Sequence, residues 1–130
     1  MKTDRQVWIG WTLSGLFAAF MLLASVTPKL AGMPVAEQTL TDLGWPRGYA
    51  MMIGLIELAG VFLYLYKRTS LLGAVLLMAV FGGALATHLR VGSPLASHTL
   101  FSVYLGVVMW GGLWLRDPAL RPVFPWRASR

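Results

Sequence analysis

The formal charges of this 130-residue chain sit in short clusters, and the intervals between them decide what it can become. Twenty-three uncharged residues separate Arg5 from Lys29, 21 separate Arg68 from Arg90, and 25 separate Arg90 from Arg116. A fourth interval, 19 residues between Arg47 and Lys67, is interrupted by one acid, Glu57. A helix needs about 20 apolar residues to cross a hydrocarbon core of about 30 Å. Lipid cannot satisfy open backbone groups, so such segments must be helical. The expected spans are residues 7–27, 47–66, 70–89 and 99–115, an all-α, four-transmembrane-helix bundle forming a single membrane domain over residues 1–130.

Composition closes the other routes. Charged residues are 12% and hydrophobic residues 57%, against a charged share of about 25% in soluble domains. A body this small has much surface and little interior, and so few polar groups cannot cover it. Disordered, fibrous and ordinary water-soluble folds are excluded. The chain has no cysteine, which removes disulfides, iron–sulfur clusters, thiolate zinc sites and CxxC redox relays. Lys2 and Arg5 before an apolar run imitate a secretory leader, but the run is too long and Ala24 to Pro28 form a poor cleavage site. The first span is read as retained.

Orientation follows from the basic residues. Lys2, Arg5, Lys67, Arg68, Arg116, Arg121, Arg127 and Arg130 fall on one side of the expected topology, and only Lys29, Arg47 and Arg90 on the other. The positive-inside rule therefore places both termini in the cytoplasm, as expected of a multi-pass protein of a bacterial inner (plasma) membrane. Trp8, Trp11, Trp114 and Trp126 fall toward the cytoplasmic interface, Trp45 and Tyr49 toward the outer one. The formal charge of +6 does not point to nucleic acid, because the basic residues flank spans instead of forming a stripe interleaved with stacking aromatics. Anionic headgroups of the lipid bilayer are the expected partner of the basic cytoplasmic tail, residues 116–130.

The second loop is only Lys67, Arg68 and Thr69, so the second and third spans form an antiparallel hairpin, with Ser70 placed to cap the third. In the first outer loop, Pro34 opens a short helix that Gly44 closes. Val35, Leu40 and Leu43 are expected on the membrane surface, with Glu37 and Asp42 in water. Gly92 and Pro94 break the third loop.

Glu57 is the most informative residue. An acid near the bilayer midplane costs about 2.5–3.5 kcal/mol on insertion scales and faces the bundle or a cavity. Gly54 and Gly60 share its helical face and permit close helix approach. Two roles stay open: a protonated acid bonded to a neighbouring helix, or a proton-handling anchor in a small-molecule pocket. Ten residues of helix separate Glu57 from Arg47, about 15 Å, so a direct pair with Lys29 is not expected; a water or ligand between them is. Ser14, Gly15, Ala18 and Ser25 read as a packing face. His88 ends the third span and His98 begins the fourth. Two histidines raise the question of haem or metal, but nothing beyond the pair suggests converging ligands or their supporting shell, and no metal is expected.

In order along the chain, Lys29-Leu-Ala-Gly, Leu43-Gly-Trp-Pro-Arg, Ile53-Gly-Leu-Ile-Glu-Leu-Ala-Gly and Ala86-Thr-His-Leu resemble the DoxX-like family of small four-helix membrane proteins. The resemblance implies a four-helix bundle with Lys29, Glu57 and His88 as recurring polar positions. Some relatives are linked to quinone-dependent sulfur oxidation or oxidative-stress complexes, and others have no assigned activity. Similar four-helix folds include sterol isomerases and receptor-assembly factors, so architecture alone does not carry activity.

The leading expectation is a membrane protein that binds a lipophilic small molecule, with a quinone as candidate cofactor, as a redox-complex subunit or small oxidoreductase. Glu57 and His88 would handle protons, and Lys29, Glu57, His88, Gly54 and Gly60 would form the binding site. Without cysteine, haem ligands or a flavin motif, electrons must come from a partner or the ligand itself. The alternative is a non-catalytic scaffold or assembly factor, holding a protein partner or a second copy as a homo-oligomer. A transporter has little room for alternating access in four short helices, unless it is a dimer.

Overall fold

The computed structural model describes residues 2–129, and every regular element among them is helical. Helix α1 (Lys2–Phe20) continues through a π-helical segment (Met21–Val26) into α2 (Thr27–Leu30). The short α3 (Pro34–Asp42) precedes α4 (Tyr49–Leu65), and a single 3-10 turn (Lys67–Thr69) joins α4 to α5 (Ser70–Val91). A second π turn (Leu95–Thr99) leads into α6 (Phe101–Arg116). Three continuous stretches, Asp4–Leu30, Lys67–Val91 and Leu95–Arg116, are long and apolar enough to cross a membrane, whereas the apolar α4 is shorter. Outward-facing Leu16, Leu23, Phe62, Leu72 and Val107 are each more than half exposed. Apolar side chains of that size on every long helix suit a hydrocarbon solvent.

Pro28 sets the path of the first helix. Its ring lacks an N–H and crowds the carbonyl four residues back. The helix does not stop there, as the expected end at Thr27 supposed. It widens: the backbone N–H of Thr27 reaches the Leu22 carbonyl, one residue beyond the α spacing, and the Thr27 hydroxyl donates to the same oxygen at 2.6 Å. The wider turn carries the helix on to Leu30. Helix α4 starts at Tyr49, two residues after the expected position, because Gly48 at φ 95° holds a left-handed turn ahead of it.

One core joins the four apolar helices. Phe17, Ala18 and Met21 meet Val61 and Tyr64 of α4, Ala74, Leu77 and Phe81 of α5, and Met109 and Leu113 of α6. The Phe17 ring stands edge-on to Tyr64 at 5.5 Å and to Phe81 at 6.1 Å. Close backbone approach needs missing side chains. A methyl on Gly73 would lie 2.6 Å from the Tyr64 Cα and 2.7 Å from the Gly60 carbonyl, and one on Gly10 would lie 2.7 Å from the Gly112 carbonyl.

A polar cluster closes the end opposite α3. Tyr64 donates its hydroxyl to the Met109 carbonyl at 2.6 Å and accepts from Ser14 at 3.0 Å. Arg116 lies between the rings of Trp11 (4.2 Å) and Tyr64 (4.5 Å) and donates to the Tyr64 carbonyl and the Ser70 hydroxyl. Ser14, expected only to pack, is thus a polar tie. Ser70 does not cap α5: its hydroxyl donates back to the Tyr66 carbonyl at 2.9 Å. Arg116 is 6% exposed, so it is no headgroup-facing tail residue. Two aromatic faces supply cation–π contact where further acceptors are absent.

Arg121 is also turned inward. It donates to the Trp114 and Leu115 carbonyls, which the end of α6 leaves open, and to Gln6 of α1 at 2.9 Å. Leu120 is buried and Phe124 stacks on Trp110 at 4.5 Å. The tail therefore folds over the helix ends instead of presenting all its basic groups to lipid. Arg130 and the Lys2 side chain lie outside the described residues.

Gly73→Ala drives α4 and α5 apart and is expected to destabilise by about 1–3 kcal/mol, as overpacking does. Gly15→Ala, where a methyl meets nothing within 4 Å, is expected to be neutral or stabilising by up to about 1 kcal/mol. Thermal unfolding in detergent of the two variants checks this.

Candidate functional site

The lower end of the candidate site is built by α2 lying on α4. Gly54 makes this possible: a Cβ there would stand 2.9 Å from the Lys29 Cβ and 3.0 Å from the Leu30 side chain. Glu57 follows Gly54 by three residues, nearly one helical turn, and so comes within reach of the Lys29 ammonium. Lys29 Nζ donates to Glu57 Oε1 at 3.2 Å and Oε2 at 3.3 Å. The Ser25 hydroxyl, four residues before Lys29, accepts from Nζ at 2.7 Å and donates to Glu57 Oε2 at 2.8 Å. The ammonium also reaches the Ser25 carbonyl at 3.3 Å.

The direct ion pair departs from the expectation that depth keeps Lys29 and Glu57 apart. That reasoning measured depth from Arg47 and put Lys29 at the same level. The helix extended through Pro28 instead brings the Lys29 Cβ against Gly54, well inside Arg47. Glu57 is 5% exposed and Lys29 17% by side chain. Charges taken from water need a partner and further hydrogen bonds to be tolerated, and the Ser25 hydroxyl supplies them to both. Ser25 therefore does more than pack. Its spacing of four from Lys29 is the sequence signal that could have found it.

Above this cluster opens a cavity of about 510 Å³, in the size range of small-molecule sites. Ser25, Lys29 and Glu57 line one part of it, His88 and His98 another. Phe20, Met21, Ile53, Ile56, Phe81 and Leu105 form apolar walls. Gly54 and Gly60 do not line it: Gly60 gives way to the Leu77 side chain, 2.8 Å from where its Cβ would be, and both glycines act by letting helices approach.

Helix α3 roofs the cavity. Its apolar residues Val35 and Leu40, with Leu43 just beyond, line the cavity; Leu40 is buried, while Val35 is 59% exposed and also faces outward. Arg90 of α5 ties the roof down by donating to the Leu43 carbonyl at 2.8 Å, with the Gly48 N–H donating to Glu37 at 3.2 Å. Gly44, at φ 90°, leaves the guanidinium room: a Cβ would stand 2.8 Å from Arg90 Nη2.

His88 shares a hydrogen bond through Nδ1 with Ser93 at 2.9 Å, and His98 likewise with Ser97 at 2.8 Å. Their ring centroids are 6.2 Å apart. The π turn after Pro94 brings His98 into the cavity lining beside His88. Sequence reasoning noted His98 only as a metal question. Among the described residues, no group of three or more His, Cys, Asp or Glu side chains is placed to hold a metal.

Removing one partner of a buried ion pair strands the other's charge. Lys29→Met is expected to lower stability by about 3 kcal/mol, and Lys29→Met with Glu57→Leu to recover most of that loss. Thermal unfolding of single and double variants in detergent checks the coupling. Arg90→Ala, which frees the roof, is expected to speed proteolytic cleavage within α3 while leaving the core melting point nearly unchanged.

Neither a curated protein nor a solved structure matches the chain. A family profile described as the DoxX-like family matches residues 12–112, a stretch that contains Ser25, Lys29, Glu57, His88 and His98. The chain belongs to the DoxX-like family.

Proposed function

We propose that this protein holds a lipophilic small molecule with a carbonyl-bearing head, a quinone above all, in the cavity between its helices. The single observation that carries the reading is the convergence of apolar cavity walls on the Ser25–Lys29–Glu57 cluster. Pockets of this kind take their affinity from apolar contact and their orientation from a few polar groups. Here Lys29 donates to the head oxygen and polarises it, while Glu57 accepts or returns a proton, directly or through the Ser25 hydroxyl. His88, with its ring fixed by Ser93, is the second proton-handling group, nearer the roof. Electrons come from a partner or from the ligand, since the chain has no cysteine. A place as subunit of a redox complex, or as a small membrane oxidoreductase, follows from that need.

In this reading the chain crosses a bacterial inner membrane four times, α4 included, with both termini in the cytoplasm. The placement of Lys29, Arg47 and Arg90 toward the roofed end, against Arg5, Lys67 and Arg68 toward the other, supports it. A second reading, a scaffold or assembly factor for a protein partner or a second copy, draws on the Glu57 carboxylate tying α4 to Ser25 and Lys29 of the first helix, a packing role that needs no ligand.

Purification in mild detergent followed by mass spectrometry of extracted lipids tests the proposal. A stoichiometric lipophile, lost in Glu57→Gln with folding intact, is the expected result. Recovery of no such molecule, with Glu57→Gln fully functional in cells, would favour the scaffold.

A further inference from the structure

An open groove of about 370 Å³ runs between α5 and α6 on the outer face of the bundle, and it shares two wall residues, Phe81 and Ser102, with the first cavity. Apart from Ser102 its lining is apolar or glycine, with Met78, Leu85, Val107 and Trp110 among it. Successive glycines on α5 divide the two spaces: Gly82 lines only the groove and Gly83 only the first cavity, and a Cβ on either meets nothing within 4 Å. At the shared wall, the Ser102 hydroxyl is buried and has no hydrogen-bond partner among the described residues. The residue is 8% exposed. A hydroxyl left unpaired in an apolar wall is costly, and a ligand acceptor at that point would remove the cost.

We infer that the ligand is a two-part amphiphile: its polar head occupies the main cavity, and a single apolar chain passes Phe81 and Ser102 into the α5–α6 groove. This rests on the small-molecule reading of the main cavity and adds the class of molecule. Ser102 donates to an oxygen at the junction of head and chain. A path between the two spaces would run between one aromatic ring, Phe81, and one small side chain, Ser102, and so would admit only a narrow, unbranched segment. The groove adjoins the main cavity across these two shared residues, and besides that hydroxyl the Trp110 indole nitrogen is the one polar side-chain atom among its lining residues. It therefore suits an alkyl or isoprenoid chain, and no second headgroup.

Moving a chain from lipid into an apolar groove gains little hydrophobic free energy, because lipid tails are equally apolar. Position, not affinity, is the informative readout. The probe is a para-benzoquinone bearing an alkyl chain with a terminal diazirine, added to the full chain in phosphatidylcholine nanodiscs. Photolabelling is run with and without excess unlabelled chain-bearing quinone, and labelled residues are identified by mass spectrometry.

Competed label is expected on Met78, Val103, Val107 or Trp110. Gly82→Leu, which fills the groove, should lose that label while the quinone still protects the main cavity from labelling by a chain-free diazirine quinone. Gly83→Leu, which fills the main cavity, should lose both. Ser102→Ala should weaken probe binding roughly threefold to tenfold, the loss of one hydrogen bond. Competed label confined to main-cavity residues, or groove label that survives Gly82→Leu, overturns the chain path and leaves the small-molecule reading intact. Absence of any competed label, with either probe, overturns both.

Discussion

A carboxylate in hydrocarbon is tolerated only if a cation and hydrogen-bond donors meet it there, and Glu57 imposes that demand on three helical segments. Lys29 must lie well below the residues that bound the span, so the first helix has to continue beyond the proline that would ordinarily end it. The π segment is the means. Gly54 then lets that extension lie directly on α4, and Ser25 completes the shell of both charges. The cavity is a consequence of the same geometry, because α2 and α4 meet on the ion pair while α5 and α6 stand back from it.

The opposite end solves a related problem differently. Among the described residues Arg116 forms no salt bridge, and it is held by two ring faces, a carbonyl and a hydroxyl. Tyr64 serves twice, as a ring for Arg116 and as the hydroxyl that bridges Ser14 to the Met109 carbonyl. The packing is continuous from Gly10 through Gly112 to Gly73, and the tail covers it. At the roofed end the closure is an amphipathic helix fastened by one arginine and one glutamate.

Much of this was legible in the charges. Their intervals place the long helices to within a few residues, since each charge avoids the apolar slab, and Glu57 stands out because it does not. The same logic failed where a charge resembled a boundary marker yet lay inside. Lys29 and Arg116 both sit at interval ends, and nothing in a linear reading separates a snorkelling cation from one turned inward; the difference lies in Gly54 for one and in Trp11 and Tyr64 for the other. The places of Ser25 and His98 in the cavity lining were missed for another reason. Hydroxyls and histidines are common at helix ends and interfaces, and their roles come from what faces them across a cavity that no single segment encodes. Roof helix α3 was found from Pro34 and Gly44, but its apolar face could not be assigned to membrane or cavity without knowing how α4 and α5 splay.

The adjacent glycines of α5 carry a consequence for how the chain can vary. Neighbouring positions on an α-helix point about 100° apart, which is why Gly82 and Gly83 open onto different spaces. One residue inserted anywhere between Ser70 and Phe81 would rotate that face and put bulky neighbours where both openings now stand. The helix is thus phase-locked: its length from the 3-10 turn at Lys67–Thr69 is as constrained as its composition. Drift in this family is therefore expected to come by exchange of side chains within α5, and insertions and deletions to gather in the connections on either side of it.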